Sequence, residues 1–266
     1  MNDFLALDAP IVGMVHLPAL PGAPAFDGDR DELRARAVAD ARALESGGVD
    51  ALMVENFGDA PFYPDDVPKH TVASMTTLVS AVCESVSVPV GVNVLRNDAE
   101  AALSVAAATG ASFVRVNVHT GARVTDQGVV SGRAHETMRL RDRLDADVAV
   151  LADIDVKHSA PVTPRETGEV VAETLERGLA DGVVVSGVGT GEAVDRDGLR
   201  EVVAHRDELG SDAPVVVGSG TTVESVSELL DVADGAIVGT ALKEDEVTTN
   251  PVDERRVREL VEAAKS

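Results

Sequence analysis

Val148-Ala149-Val150-Leu151-Ala152-Asp153-Ile154-Asp155 is a run of strand length, apolar at successive positions until it ends on carboxylates. A parallel strand covered by helices on both faces reads this way, because neither face meets water. Helical spacing follows over Arg165–Gly178, and another short β-branched run follows at Gly182–Ser186. The same unit recurs along the chain. Strands are expected at Ile11–His16, Ala51–Glu55, Val88–Val94, Phe113–Val118, Val148–Asp155, Gly182–Ser186, Pro214–Gly218 and Gly235–Gly239. Helices are expected at Arg30–Ser46, Thr71–Val86, Ala99–Thr109, His135–Leu144, Arg165–Gly178, Asp197–Leu209, Val223–Asp231 and Asp253–Ala264. Gly47-Gly48, Gly110 and Gly178 mark helix ends, and Thr163-Pro164-Arg165-Glu166 reads as a cap with Pro in the first turn.

Eight such units in 266 residues, with no break in composition, predict one domain over residues 1–266: a (β/α)8 TIM barrel of the phosphate-binding type. A doubly wound open sheet is the alternative, which the regular eightfold repeat fits less well. Long irregular stretches are expected after three strands, at Leu17–Asp29, Phe57–His70 and His119–Ala134. Loops at that end of the strands build the active sites of this fold.

Composition bounds the partners. Lys and Arg number 23 against 46 Asp and Glu, a formal charge of −23. That balance argues against nucleic acid and against anionic membrane surfaces, both of which need clustered cations. The four lysines, the absence of Trp and the acidity suit a protein adapted to concentrated salt, where self-repulsion is screened. The single cysteine, Cys83, excludes a disulfide framework and reads as a small hydrophobe. No signal peptide is visible, and no apolar run approaches the roughly 20 residues a membrane span needs. The expectation is a soluble, cytoplasmic protein. Barrels of this kind often associate through their exposed helices, so a homo-oligomer is compatible with the pattern.

Candidate chemistry gathers at strand ends. Val217-Gly218-Ser219-Gly220-Thr221 is expected to run directly into a helix, and Gly239-Thr240-Ala241 ends the last strand. Glycines admit a ligand to the backbone, and helix N-termini hold anions, so Gly218, Ser219, Gly220, Gly239 and Thr240 are the expected phosphate site, with Ser186 and Gly187 beside it. His16, Glu55, Asn56 and Asn93 lie at the ends of the first three strands. Arg115 and Asn117 share a face of the fourth, and Asp153, Asp155 and Lys157 are expected to share a face of the fifth. Such groups at a barrel mouth must pair with each other, a metal or a ligand, because burying them unpaired costs several kcal/mol. Glu55, Asp153 and Asp155 are candidate proton-transfer groups, helped by His16 or His119, with Arg115 and Lys157 stabilising negative charge. Asn56, Asn93 and Asn117 are candidate substrate contacts. The alternatives stay open: a structural Arg115–Asp153 ion pair, a Schiff-base Lys157, a flavin on the phosphate site, or a divalent cation held by His119, His158 and the aspartates, whose spacing matches no established metal motif.

Several motifs are long and unusual: Gly13-Met14-Val15-His16-Leu17 with Leu20-Pro21-Gly22, Glu55-Asn56-Phe57, and Gly91-Val92-Asn93-Val94-Leu95-Arg96-Asn97-Asp98. Phe113 to Gly121, Thr125-Asp126-Gln127-Gly128, Ala134-His135-Glu136-Thr137, Asp153 to His158, Val217 to Gly220, Gly239 to Lys243 and Asn250-Pro251-Val252-Asp253 complete the set. As a set the chain resembles the BtpA (BtpA/SgcQ) family from end to end. The resemblance implies a phosphate-binding barrel like phosphoribosylanthranilate isomerase. It also implies two settings for members, membrane-complex (photosystem I) biogenesis and sugar metabolism. It attaches no reaction.

Overall fold

The computed structural model describes residues 2–156, 158–187 and 195–266. Its strands are β1 (Ile11–His16), β2 (Ala51–Glu55), β3 (Val90–Asn93), β4 (Phe113–Val116), β5 (Ala122–Thr125), β6 (Gly128–Ser131), β7 (Ala149–Asp155), β8 (Ser159–Pro161), β9 (Gly182–Val185), β10 (Val215–Gly218) and β11 (Gly235–Val238). The helices are α1 (Arg30–Gly47), α2 (Lys69–Cys83), α3 (Ala99–Thr109), α4 (Ala134–Arg143), α5 (Thr167–Ala172), α6 (Arg196–Glu208), α7 (Val226–Leu230) and α8 (Glu254–Ala264). A closed barrel of parallel strands runs β1-β2-β3-β4-β7-β9-β10-β11 and back to β1. The expected (β/α)8 architecture is the one observed.

Alternation along each strand explains the near-continuous apolar runs. One set of residues, Val12, Met14, Met53, Phe113, Leu151, Val184, Val216 and Ile237 among them, packs together inside the barrel. Phe4 joins this interior, its ring stacked on Phe113 at 4.1 Å between centroids. The other set, including Val15, Leu52, Val92, Val114 and Val217, packs outward against the helices. Each large apolar side chain so buried contributes about 1.5–3 kcal/mol, so Phe113→Ala should cost about 3–5 kcal/mol. Helix starts follow side-chain caps: Asp29 accepts from the N–H groups of Asp31 and Glu32, and Asp98 from that of Ala101. Gly48 (φ 97°) and Gly110 (φ 79°) close α1 and α3 in the left-handed conformation, as their positions predict.

Three expectations need correction. The stretch His119–Ala134 is not irregular: β5 and β6 form a hairpin, and β8 adds to β5 as a third antiparallel strand. That pairing holds Ser159–Pro161 extended, so no helix starts at Thr163-Pro164. Instead α5 begins at Thr167 after Glu166, and a wider π-helical turn continues it over Glu173–Arg177. The turn after β10 does not enter a helix directly either. Ser225 Oγ accepts from the Thr222 N–H at 3.0 Å, and the five-residue α7 begins only at Val226. Among the described residues, no helix is long and apolar enough to cross a membrane.

Candidate active site

Strand register builds the floor of the site. His16 is the partner of Glu55, Glu55 of Asn93, and Asn93 of Arg115, so four neighbouring strands present one polar layer. These residues share their alternation with the interior set, as do Asp153, Ser186, Gly218 and Gly239. The apolar interior therefore gives way to polar groups and glycines at the C-terminal end of the barrel.

Arg115 dominates this layer. Its Nε donates to Asp153 Oδ1 at 2.7 Å and its Nη2 to Asp153 Oδ2 at 2.9 Å. Nη2 also donates to Ser186 Oγ at 3.2 Å, and Asn117 Nδ2 donates to Asp153 Oδ2 at 3.1 Å. Burial opposes the guanidinium charge, but the Asp153 charge and hydrogen bonds outweigh it and hold the Arg115 pKa above its ordinary value. His16 Nε2 lies 3.8 Å from Glu55 Oε1, and the imidazole centroid lies 4.9 Å from the Phe57 ring.

Above the layer is a cavity of about 740 Å³, within the usual size for small-molecule sites. His16, Glu55, Arg115, Asn117 and Asp153 line it from the barrel, Arg96 from the β3 loop, and His158 from the β7 loop. Ser219 to Glu224 and Thr240 form the wall beyond β10 and β11. Ser219 (φ 77°) and Gly220 (φ 82°) turn this wall through left-handed backbone. Ser219 Oγ and Thr221 Oγ1 are buried with no hydrogen-bond partner among the described residues. Thr240 Oγ1 meets Thr248 Oγ1 at 2.9 Å.

The remaining expected residues fall elsewhere. Asp155 is not on the face of Asp153, because the register shifts between them. Its side chain is 71% exposed and pairs with Arg123 of the small sheet. His119 is buried away from the cavity, its Nε2 2.9 Å from the Gly178 carbonyl, and burial depresses its pKa. Asn93 belongs to the layer but does not line the cavity, donating to the Arg115 carbonyl at 2.8 Å and to Asn117 Oδ1 at 3.2 Å. Asn56 ties loops together: its Oδ1 accepts from the Leu95 N–H at 2.7 Å, and its Nδ2 donates to Asp59, which accepts from the Leu20 N–H. That chain accounts for three of the unusual motifs at once. Gly187 is buried beside Ser186. Lys157 lies outside the described residues, as does the stretch from Val188 to Val194.

Two glycines have packing reasons. A β-carbon on Gly218 would come 2.8 Å from Val184 Cγ1, and one on Gly239 would come 2.8 Å from His16 Cε1. Residues missed by the sequence reading include Arg96, Thr221, Thr222, Thr248 and Arg256. Arg96 stood within a quoted motif, three residues past the layer position Asn93. Its strand-end placement was the available signal. Among the described residues, no group of three or more His, Cys, Asp or Glu is placed to hold a metal ion.

A model of the BtpA family matches residues 7–266. The chain is 49% identical over 256 residues to a protein of Thermococcus kodakarensis named only as uncharacterized, covering 96% of this chain and 95% of that one. It is 42% identical over 258 residues to the photosystem I biogenesis protein BtpA of Synechocystis sp., covering 96% of this chain and 87% of that one. Among solved structures, phosphoribosyl anthranilate isomerase of Thermus thermophilus aligns with a TM-score of 0.58 at 12% identity, covering 96% of this chain and 98% of that one. That likeness establishes the fold.

Proposed function

The chain belongs to the BtpA family, and on that premise we propose an enzyme that acts on a phosphorylated small molecule, a sugar phosphate or nucleoside-like phosphate, by isomerase- or lyase-type proton transfer. One observation carries the reading: the His16–Glu55–Asn93–Arg115 layer, closed by Asp153, floors a cavity at the C-terminal end of the barrel. Glu55 takes the proton and returns it, with His16 as its neighbour. Arg115 stabilises the negative charge that develops as the proton leaves, and Asp153 with Asn117 fixes the guanidinium in place. Ser219, Gly220, Thr221 and Thr240 receive the phosphoryl group, while Gly218 and Gly239 keep the floor compact around Val184 and His16. A fold neighbour whose name contains a phosphoribosyl group supports the choice of ligand.

A thermal-shift screen in molar salt tests this, using sugar phosphates, nucleoside phosphates and inorganic phosphate. A ligand at about 100 times its Kd adds about 2.7 kcal/mol, or about 5–10 °C for a domain of this size. Turnover is then assayed on the compounds that bind. Glu55→Gln should keep binding and lose turnover; full activity in both Glu55→Gln and Asp153→Asn would remove the assigned roles.

The name of the Synechocystis relative favours a second reading, a non-catalytic factor in the biogenesis of a membrane complex. If no phosphate compound shifts the folded protein, that reading replaces the first. Recovery of the protein mainly with membranes at native salt would then support it.

A further inference from the structure

Aromatic rings are scarce in this chain, which has five Phe, one Tyr and no Trp. Three of the Phe residues serve packing. Phe4 stacks on Phe113 inside the barrel, and Phe26 packs against the outer core with the Arg30 guanidinium 5.7 Å from its ring centre. The other two, Phe57 and Phe62, stand with Tyr63 in the loop that follows β2. Among the described residues, neither packs into an apolar cluster of the core. Both are half-buried, and both line the cavity.

Backbone contacts hold this loop in place. The Gly58 N–H donates to the Leu17 carbonyl at 2.9 Å, and a β-carbon on Gly58 would come 2.3 Å from the Ala19 nitrogen, so the loop lies directly on the chain leaving β1. Asp59 Oδ1 accepts from the Leu20 N–H at 2.7 Å. At the far end the Tyr63 carbonyl accepts from the Arg96 N–H at 2.9 Å, which ties the loop to the chain leaving β3. A wall fixed before the ligand arrives loses little freedom on binding.

β1 stands between β2 and β11 in the ring of strands. His16 at the end of β1 therefore lies between the aromatic wall and the Thr240 wall, with its imidazole centroid 4.9 Å from the Phe57 ring. Next to Thr240, on the β10 loop, Ser219 Oγ and Thr221 Oγ1 are buried with no hydrogen-bond partner among the described residues. A ligand reaching from these hydroxyls to the aromatic wall crosses the His16–Glu55 pair. Half-buried phenyl rings gain most from a flat unsaturated ring, which covers them and adds stacking that a bare sugar does not supply.

We propose that the cavity takes a phosphate ester bearing a planar heteroaromatic ring, a nucleoside monophosphate or a similar ring-bearing pentose phosphate. The ring rests on Phe57 and Phe62, and the phosphoryl group on the Ser219–Thr221 wall. This rests on the phosphate-ester reading given above and narrows it to the ring-bearing class. Phe57 and Phe62 set specificity and take no part in proton transfer.

Matched probes test the aromatic wall apart from the phosphate wall. Titration calorimetry measures the affinities of ribose 5-phosphate and of the 5′-monophosphates of uridine, cytidine, adenosine and guanosine. The best nucleotide should bind about tenfold tighter or more than ribose 5-phosphate, the scale of one base–aromatic stack. Phe57→Leu with Phe62→Leu keeps apolar bulk without an aromatic face and should bring the two affinities together, whereas Phe57→Tyr with Phe62→Tyr should keep them apart. Circular dichroism checks that each variant is folded, and Phe62→Leu alone, which should reduce the ratio, carries the test if the double Leu variant is not. If ribose 5-phosphate binds as tightly as every nucleotide, or the ratio survives undiminished in the folded Leu variants, the inference is overturned. If neither ribose 5-phosphate nor any nucleotide binds, the proposed function itself fails.

Discussion

The ammonium of Lys243 lies 3.2 Å from the Asp40 carboxylate, and the two side chains are 0% and 3% exposed. Asp40 also accepts from Arg36 Nε at 3.1 Å and from the Val252 N–H at 2.9 Å. One carboxylate on α1 thus ties down the chain that leaves β11. This explains why Gly239-Thr240-Ala241-Leu242-Lys243 and Asn250-Pro251-Val252-Asp253 stood out together. It is a structural node with no place in the cavity.

Breaking the pair should be costly. Asp40→Asn leaves a buried ammonium without its counter-charge, at about 3–5 kcal/mol, whereas Asp40→Leu with Lys243→Met should recover most of that loss. Denaturant unfolding of the single and double variants measures both. Equal destabilisation by single and double replacement would show that packing, and not the charge pair, holds the node.

His119 should make stability fall in mild acid. Burial depresses its folded pKa, so below about pH 6.5 the unfolded chain binds a proton that the folded chain resists. The unfolded state then carries more protons, and stability drops as pH falls through this window while staying flat above it. His119→Gln should lack this component of the slope below about pH 6.5. An identical pH profile in the variant would exclude the imidazole as its source.

Substitution at Gly239 and at Gly218 should separate function from stability. Gly239→Ala drives a methyl group against His16, 2.8 Å from Cε1, so the imidazole beside Glu55 must shift. Activity should fall sharply with modest loss of stability. Gly218→Ala presses on Val184 within the barrel and should cost about 1–3 kcal/mol. Melting temperatures and turnover of the two variants should therefore rank in opposite order.

Salt should stabilise the protein. With a formal charge of −23, self-repulsion weakens as the screening length shrinks from about 10 Å at 0.1 M to about 3 Å at 1 M. The melting temperature should climb steadily with KCl into the molar range. A value unchanged by KCl would end the case for salt adaptation.

The alternation of apolar runs with helical spacing determined a parallel sheet covered on both faces, and eight regular units favoured its closure into the barrel over an open doubly wound sheet. Strand ends marked His16 and Glu55, and alternation put Arg115 with Asn117 on one face, whereas the strand register is what joins His16, Glu55 and Arg115 in one interior-facing layer. Asp155 escaped that logic, since a register shift after Asp153 breaks the period of two that sequence reading relies on. Pairing of β5 with β6 and β8 joins loops from different strands, and long-range hydrogen bonding of that kind leaves no local periodicity to read. Gly218 and Gly239 were legible as glycines, but whether a ligand or a neighbouring side chain required them depended on the atoms facing each one. Arg96 shows the same division: its residue type could be read from the chain, while its burial at the cavity wall opposite Ser219 and Thr221 exists only once the ring of strands has closed.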